Sequence, residues 1–320
     1  MRVLYVDALA NPPSWANTKG IIAAYRRAGV DLDTFDYRSA GEPAQMNAAL
    51  KAKALEFRPD FIHLGKGETI RGATVRAIKK KTGCKVAHFY GDLRWEVQPF
   101  VADIGKAVDW TLFQHKDEAQ YAMYRKAGCK QVGFWMEGAD PSIFYRRNVP
   151  QTWDVVFMAN APPASIRMHQ ERWELIRQIA AAGFGIHVFG TGWGKLKGTP
   201  NVRLHEFVAL KKFALAVSRA RICLGYSTDR VRWYTSWPRL LNSMCSGGFY
   251  LTHYWPGLEE LFHQGIHLDW FGDIPEAVRK VKYWIGNGKL RQLVAYNGRN
   301  EVVAKHTWDH RIAEMLEYAK

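Results

Sequence analysis

The feature that most constrains the fold is an alternation of short apolar strands with helical segments, which starts afresh after Pro150. Apolar runs of strand length occur at residues 2–6, 61–64 and 85–90, and again at residues 154–158 and 186–189. Helical patterns separate them, and the connections are short. This order predicts parallel, doubly wound sheets and an α/β fold class, with two successive Rossmann-like domains joined near residues 146–152.

Length and composition agree with a chain that folds around large cores. The 320 residues are 48% hydrophobic and 23% charged, which suits two domains of ordinary size. No apolar run reaches the roughly 18 residues that a membrane-spanning helix needs, and the first residues lack the pattern of a signal peptide. The four cysteines are widely spaced and form no CxxC pair. We therefore expect a cytoplasmic protein with reduced thiols.

Charge is the unusual bulk property of this sequence. Lysine and arginine number 45 against 30 aspartate and glutamate, a formal net charge of +15. Residues 1–150 carry 23 basic and 16 acidic side chains, and the remainder carries 22 and 14, so the excess is spread over both halves. Such an excess favours a polyanionic partner such as nucleic acid or an anionic membrane, although a protein that is merely basic is the alternative.

Residues that directly follow strands are the candidates for a functional site, because open α/β sheets bind ligands beyond their carboxyl strand ends. Asp92 is the first choice for a catalytic base, and capping of the next helix is its alternative role. Asp7 and His115 are the other catalytic candidates. Further residues follow strands in the same way: Gly65 to Gly67, Glu137 and Gly190 to Lys195.

Residues 237–262 read as helix, glycine turn, strand, proline turn and helix. Arg239 lies in the first turn of the first helix. Exposed backbone N–H groups together with a guanidinium make a site for phosphate. An ordinary surface arginine in a structural αβα unit is the competing interpretation. The sequence has no GxxxxGK[ST] phosphate loop, so any phosphate site must use single residues and helix starts.

The second half also resembles a known family. The segments FGTGWG (189–194), NVRLHEFV (201–208), ICLGYS (222–227) and residues 237–262 follow one another as in the nucleotide-sugar domain of GT-B glycosyltransferases. The group most similar is typified by the spore-maturation protein CgeB and by glycosyltransferase family 1 C-terminal domains. HFYGDLR (88–94) and MEGADPSIFYRR (136–147) resemble the first domain and the domain-crossing segment of that family, and residues 296–316 resemble its ending.

The resemblance implies two facing Rossmann-like domains with a cleft between them. Residues 1–148 would form the acceptor-side domain and residues 149–304 the nucleotide-sugar domain, while a helix at 305–320 would pack back on the first domain. The activity implied is metal-independent transfer of a hexose or pentose from a nucleotide sugar, most plausibly a UDP-sugar, with no tightly bound cofactor.

The resemblance also assigns residues to the donor. Asn242 stands where relatives commonly have a glutamate for the ribose hydroxyls, and Tyr234 and Asn242 fall near the positions of an acidic pair that many retaining relatives carry. Glu259 and Glu260 are a fallback for that pair, and Arg230 and Arg232 are alternative phosphate ligands. The residues expected at the donor are Gly190, Thr191, Gly192, Lys195, Tyr226, Arg239 and Asn242.

The acceptor is the open part of the functional prediction. The basic charge and the known transfer of sugars to hydroxymethylated bases in viral DNA favour DNA, with the base flipped out and the backbone on basic surface. The alternatives are a carbohydrate or lipid-linked acceptor at an anionic membrane, a UDP-sugar epimerase, and a non-catalytic nucleic-acid binder. The residues expected to contact DNA are Arg71, Lys79, Lys80, Arg94 and Arg232.

Overall fold

The computed structural model describes residues 1–9, 16–161, 170–227 and 231–320. The described residues form two compact units, each built on a parallel six-stranded sheet with helices packed around it. The predicted α/β class is therefore confirmed. The first unit comprises Met1–Gly138 and Trp308–Lys320, and the second comprises Ala139–Thr307.

The sheet of the first unit has the strand order β2-β1-β3-β4-β5-β6. Its strands are β1 (Arg2–Asp7), β2 (Asp31–Asp36), β3 (Phe61–Leu64), β4 (Lys85–Tyr90), β5 (Trp110–Phe113) and β6 (Val132–Phe134). A 3-10 helix, Tyr37–Ala40, follows β2. The helices of this unit are α1 (Ala16–Arg27), α2 (Pro43–Phe57), α3 (Gly72–Thr82), α4 (Pro99–Gly105), α5 (Glu118–Lys126) and α12 (Trp308–Glu317).

The sheet of the second unit has the strand order β12-β11-β10-β7-β8-β9. Its strands are β7 (Trp153–Met158), β8 (Ile186–Phe189), β9 (Val202–His205), β10 (Ala220–Gly225), β11 (Tyr250–His253) and β12 (Asp269–Phe271). A 3-10 helix, Trp193–Leu196, follows β8. The helices are α6 (Glu171–Ala181), α7 (Leu210–Arg219), α8 (Trp237–Cys245), α9 (Leu258–Leu261), α10 (Ile274–Gly286) and α11 (Gly288–Lys305).

In each sheet the strand order reverses beside the first strand of the unit. The chain moves outward from β1 to β2 and then returns to β3 on the other side of β1. In the second unit it moves from β7 through β8 to β9 and returns to β10, again beside β7. The loops that leave the two strands of such a pair separate, which opens a crevice at their carboxyl ends. The fold therefore places one crevice above β1 and β3 and another above β7 and β10.

The C-terminal helix α12 is part of the core of the first unit. The Trp308 side chain is 1% exposed and lies beside Trp135, with 5.9 Å between ring centroids. A Cβ atom at Gly20 of α1 would lie 2.2 Å from Cδ1 of Trp308, so only glycine allows this contact. The Trp135 indole N–H donates to the backbone oxygen of Arg311 at 2.9 Å. Helix α12 is thus held by packing and by a buried hydrogen bond.

Two predictions of secondary structure differ from the structure. Helix α4 was not predicted; Pro99 occupies its N-terminal turn, where a missing N–H is harmless, but a helix of seven residues shows too little periodicity to be recognised. The C-terminal helix expected over residues 305–320 begins only at Trp308, because α11 continues to Lys305. No helix in the described ranges is long and apolar enough to cross a membrane.

Candidate functional site

The loop after β8 has a shape that glycine makes possible. Gly190 has a φ of 136°, and a Cβ atom there would lie 2.3 Å from the backbone oxygen of Ala159. The loop is tied to the residues that follow β7, because the Thr191 N–H donates to Asn160 Oδ1 at 2.9 Å and the Ala161 N–H donates to the Thr191 oxygen at 2.8 Å. These contacts fix the loop at the β7 edge of the second crevice.

The predicted glycine loop therefore lies where a ligand of this sheet would bind. Gly192 has a φ of 84° and precedes the 3-10 helix that carries Lys195, whose side chain is exposed. The buried Trp193 anchors this segment by donating its indole N–H to the Ala159 oxygen at 2.7 Å. Asn160 was not among the predicted site residues; its position just after the first strand of the second unit is the signal that could have identified it.

Arg239 lies in the first turn of α8, the helix that follows β10. A helix that follows a parallel strand begins at the carboxyl edge of the sheet, so its N-terminus lies at the crevice. The guanidinium carbon lies 5.8 Å from the centroid of the Phe157 ring. Burial lowers the pKa of Arg239, an effect that the neighbouring Tyr250 partly opposes.

Arg239 has no carboxylate to neutralise it within the described part of the chain, where no acidic side chain lies within 4.0 Å of the guanidinium. Arginine keeps its charge at any physiological pH, so the lowered pKa means that the charge is held at an energetic cost. An anionic ligand would relieve that cost. The guanidinium can hold a phosphate group. The expectation of exposed N–H groups at this helix start is wrong, because Pro238 has none and those of Trp237, Arg239 and Leu240 donate to the backbone oxygens of Thr235 and Ser236.

The two remaining residues predicted for the donor are more deeply buried. Asn242 lies one turn beyond Arg239 and is 4% exposed; among the described residues its Oδ1 atom has no hydrogen-bond donor. Tyr226 is 3% exposed, and its hydroxyl donates to the carboxylate of Glu171. The Tyr226 hydroxyl is therefore already used within the protein, whereas Asn242 retains an acceptor.

The first unit has a cavity of about 240 Å³ at the carboxyl ends of β1, β3 and β4. It lies at the first crevice, where the order of the strands reverses. Two of the predicted catalytic residues, Asp7 and Asp92, line it together with Glu137. The basic side chains of Arg38 and Lys66, and the amide of Asn17 from α1, complete its polar lining.

The environments of the three carboxyl groups differ. Glu137 is 9% exposed, and burial together with the charge of Asp92 raises its pKa to about 8. Asn17 donates to Glu137 Oε1 at 2.5 Å. Burial also raises the pKa of Asp7, although hydrogen bonds from the Tyr5 hydroxyl and the Ala8 N–H, each 2.8 Å long, oppose the rise. Such perturbation in a cavity is typical of functional sites.

Asp92 is more exposed than Asp7, the other predicted catalytic carboxylate, and forms an ion pair with Lys66. Its Oδ2 atom lies 2.9 Å from Lys66 Nζ and 3.9 Å from the Arg94 guanidinium. Glu137 was recognised in the sequence only as a residue that follows a strand. The structure distinguishes it from Asp92, because Glu137 is buried and its pKa is raised, whereas Asp92 is more exposed and paired with Lys66.

His115 does not join Asp7 and Asp92 at the cavity. The ring is 1% exposed and stacks on Phe113 and Tyr121, with centroid separations of 5.3 and 5.7 Å. Burial lowers its pKa to about 4, so the imidazole is neutral at physiological pH. His115 is therefore a neutral core residue and does not line the cavity.

Three of the five basic residues predicted to contact DNA are paired with acidic side chains. Lys79 lies 2.6 Å from Asp109, Arg94 lies 3.9 Å from Asp92, and Arg232 lies 2.7 Å from Glu260. Arg71 and Lys80, by contrast, are exposed; Arg71 is the N-terminal cap of α3 and Lys80 lies within that helix.

The fallback acidic residues Glu259 and Glu260 belong to a short surface helix, and Arg230 lies outside the described residues. Glu259 and Glu260 are exposed at the start of α9, where Glu260 pairs with Arg232. In the described residues, no group of three or more His, Cys, Asp or Glu side chains is arranged to hold a metal ion.

The sequence of the second unit matches a known protein family. Residues 170–317 match the model of a family described as glycosyl transferase-like. That stretch contains the glycine loop, Arg239 and Asn242. A search of curated proteins by sequence finds no significant match.

Solved structures of other proteins superpose on nearly the whole of this chain. HepE from Anabaena, in complex with UDP and glucose, superposes with a TM-score of 0.70 at 13% identity, covering 99% of each chain. Sucrose-phosphate synthase from Thermosynechococcus elongatus gives a TM-score of 0.69 at 13% identity, covering 99% of this chain and 98% of the other. AviGT4, a glycosyltransferase of avilamycin A biosynthesis, gives 0.67 at 14% identity, covering 100% and 97%.

The protein therefore has the GT-B fold, and the resemblance to GT-B glycosyltransferases that the sequence indicated is confirmed. Its residues 170–317 are similar in sequence to the glycosyl transferase-like family.

Proposed function

We propose that this protein is a glycosyltransferase that moves a sugar from a UDP-sugar to a hydroxyl group of an acceptor. The observation that carries the proposal is the match of residues 170–317 to the glycosyl transferase-like family. The matched stretch includes the crevice with the un-neutralised Arg239 at a helix start. UDP is the proposed nucleotide because HepE, which shares the fold, was solved with UDP and with UDP-glucose.

In the proposed donor complex the diphosphate lies against the start of α8. Arg239 neutralises it, and the glycines of the loop from Gly190 to Gly192 let the backbone approach it closely because they carry no side chains. Lys195, which is exposed on the following 3-10 helix, supplies a second positive charge. Asn242 is the residue proposed for a ribose hydroxyl; its Oδ1 atom has no donor among the described residues but is buried, so the ligand would have to displace the atoms that cover it. Charge that develops on the leaving UDP is thus stabilised by groups already in place.

In the proposed reaction the bond between the anomeric carbon and the UDP oxygen breaks, and its electron pair leaves with UDP. The acceptor oxygen forms the new bond to that carbon and loses its proton to a general base. Glu137 can take this proton only in its ionised form, which its pKa of about 8 makes more basic than an ordinary glutamate and which becomes populated as pH approaches 8. Asp92 and Asp7 remain the alternatives predicted from the sequence.

The donor half of the proposal is tested by thermal melting with UDP, UDP-glucose and GDP. UDP should raise the melting temperature of the wild type, and Arg239→Ala should bind UDP about tenfold to a hundredfold more weakly because a charge-assisted phosphate contact is lost. Arg203→Ala, which removes an exposed arginine of β9, is the matched control and should bind as the wild type does. If no nucleotide stabilises the wild type, the proposal fails.

The acceptor requires a separate experiment. Labelled UDP-sugars are incubated with hydroxymethylated DNA, unmodified DNA and a neutral oligosaccharide, and products are weighed by mass spectrometry. Transfer adds a sugar to an acceptor, whereas an epimerase leaves the mass of the UDP-sugar unchanged. DNA as acceptor rests on the net charge of +15. Label in the oligosaccharide and in neither DNA would refute the DNA acceptor and leave the transferase proposal standing.

A further inference from the structure

A second pocket in the C-terminal unit is lined by arginines. Its volume is about 290 Å³, and no acidic side chain is among its lining residues in the described part of the chain. Four arginines line it together with Gln151, Gln292 and the ring of Tyr296. The four are Arg146, Arg221, Arg291 and Arg299.

This pocket lies at the opposite edge of the sheet from the proposed donor site. Arg221 is the second residue of β10, and Gly247 and Phe249, which also line the pocket, come just before β11. These positions are at the amino ends of the strands. The six residues of β10 span roughly 20 Å, so one ligand of ordinary size cannot occupy both places.

One carboxylate, Asp154, lies beside two of the four arginines. It pairs with the Arg221 guanidinium at 2.5 Å. Arg291 is 5% exposed and donates to the backbone oxygens of Trp284 and Ile285 at the end of α10. Burial and the nearby Arg221 lower the pKa of Arg291, and the charge of Asp154 partly opposes this effect.

Arg146 and Arg299 complete the cluster from two different segments. Arg146 donates to the Gly247 oxygen at 3.4 Å, and its side-chain stem lies against Gly247, where a Cβ atom would be 3.3 Å from Arg146 Cβ. Within the described residues, neither Arg146 nor Arg299 has a carboxylate within 4.0 Å. Gathering like charges around a concave surface is unfavourable unless an anion binds among them.

We propose that this pocket binds a phosphate-bearing ligand, separately from the donor site. Several guanidinium groups that converge on one cavity match the geometry of phosphate oxygens. Tyr296, which is 63% exposed at the rim, offers a ring face to whatever the phosphate carries. The shared chemistry is a phosphate ester, which can belong to a free metabolite or to a phospholipid headgroup.

The test uses pyrophosphate as the probe and the full chain with Arg239→Ala, so that the proposed donor site is weakened. Calorimetry should show one pyrophosphate site. The double substitution Arg146→Ala and Arg299→Ala should weaken binding at least about tenfold, because two charge-assisted contacts are lost. Arg279→Ala, which removes an exposed arginine of α10 outside the pocket, is the matched control and should leave the affinity unchanged.

A flotation experiment distinguishes the two sources of phosphate. Vesicles of phosphatidylglycerol and of phosphatidylcholine are mixed with the same variants. Flotation with phosphatidylglycerol that needs Arg146 and Arg299 supports the pocket and assigns a lipid headgroup; pyrophosphate binding without flotation supports it and assigns a free ligand. The proposal is overturned if neither probe binds, or if both bind the double variant as tightly as the single one. Donor binding is measured separately in wild-type Arg239 protein, so failure here leaves the proposed transferase untouched.

Discussion

Substitution of Glu137 by glutamine should change how stability depends on pH. The pKa of Glu137 is about 8 in the folded protein against an ordinary value of 4.5. Between these two pH values the folded chain holds a proton on this group that the unfolded chain has released. The free energy of unfolding therefore falls as pH rises, by about 1.4 kcal/mol for each pH unit.

The size of this change in unfolding free energy follows from the interval between the two pKa values of Glu137. Over the roughly 3.5 pH units between the two values, the loss is at most about 5 kcal/mol, and relaxation of the cavity reduces it to about 2–5 kcal/mol. The sign is that of a group whose pKa is raised by folding: its contribution is fully present below pH 4.5 and is lost by the time pH reaches about 8. Glutamine does not titrate, so Glu137→Gln should lack this component.

The assay is urea unfolding followed by tryptophan fluorescence at intervals from pH 5 to 8.5. The wild-type unfolding free energy minus that of Glu137→Gln should fall by about 2–5 kcal/mol across this range. Asp92→Asn is the informative companion, because the Asp92 charge helps to raise the pKa of Glu137, and its removal should flatten the wild-type slope. Parallel curves for the wild type and Glu137→Gln would show that Glu137 titrates normally and would remove the basis for its proposed role as a base.

Three further predictions concern backbone shape, core packing and the buried histidine. Gly190→Ala should destabilise the second unit by more than about 2 kcal/mol in urea unfolding, because the φ of 136° and the Ala159 oxygen exclude a Cβ atom. Gly194→Ala is the control and should cost under about 1 kcal/mol, because there is open space around Gly194. Equal losses of stability in the two variants would contradict the prediction. Trp308→Ala should cost about 3–5 kcal/mol by the same measurement, and a loss below about 1 kcal/mol would show that α12 is not part of the core. His115→Phe should change kcat/KM for sugar transfer by less than about threefold, since the ring stacks within the core; a hundredfold loss in a folded variant would restore His115 as a catalytic candidate.

The agreement between pattern and structure is closest where a signal is local. The strands at residues 61–64, 85–90 and 186–189 were predicted with the bounds that the structure shows, because short apolar runs between turn residues need no distant partner to be recognised. The start of α8 at Trp237, and with it the place of Arg239 in a first helical turn, follows in the same way from Pro238.

What required the tertiary structure depends on residues far apart in the chain. Asp7, Asp92 and Glu137 meet at one cavity although some 130 residues separate the first from the last, and only that proximity shows which carboxyl group is buried and basic. The arginine pocket likewise gathers residues from 146 to 299. Burial and pairing also decide that His115 belongs to the core and that Lys79 and Arg232 are neutralised.

The sequence alone thus determined the α/β class, the two sheets, the glycine loop after β8 and the start of α8, because backbone preferences and hydrophobic periodicity act over a few residues. The tertiary structure decided which charges are compensated and which are not, because desolvation and Coulomb interactions depend on whatever the fold brings within a few ångströms.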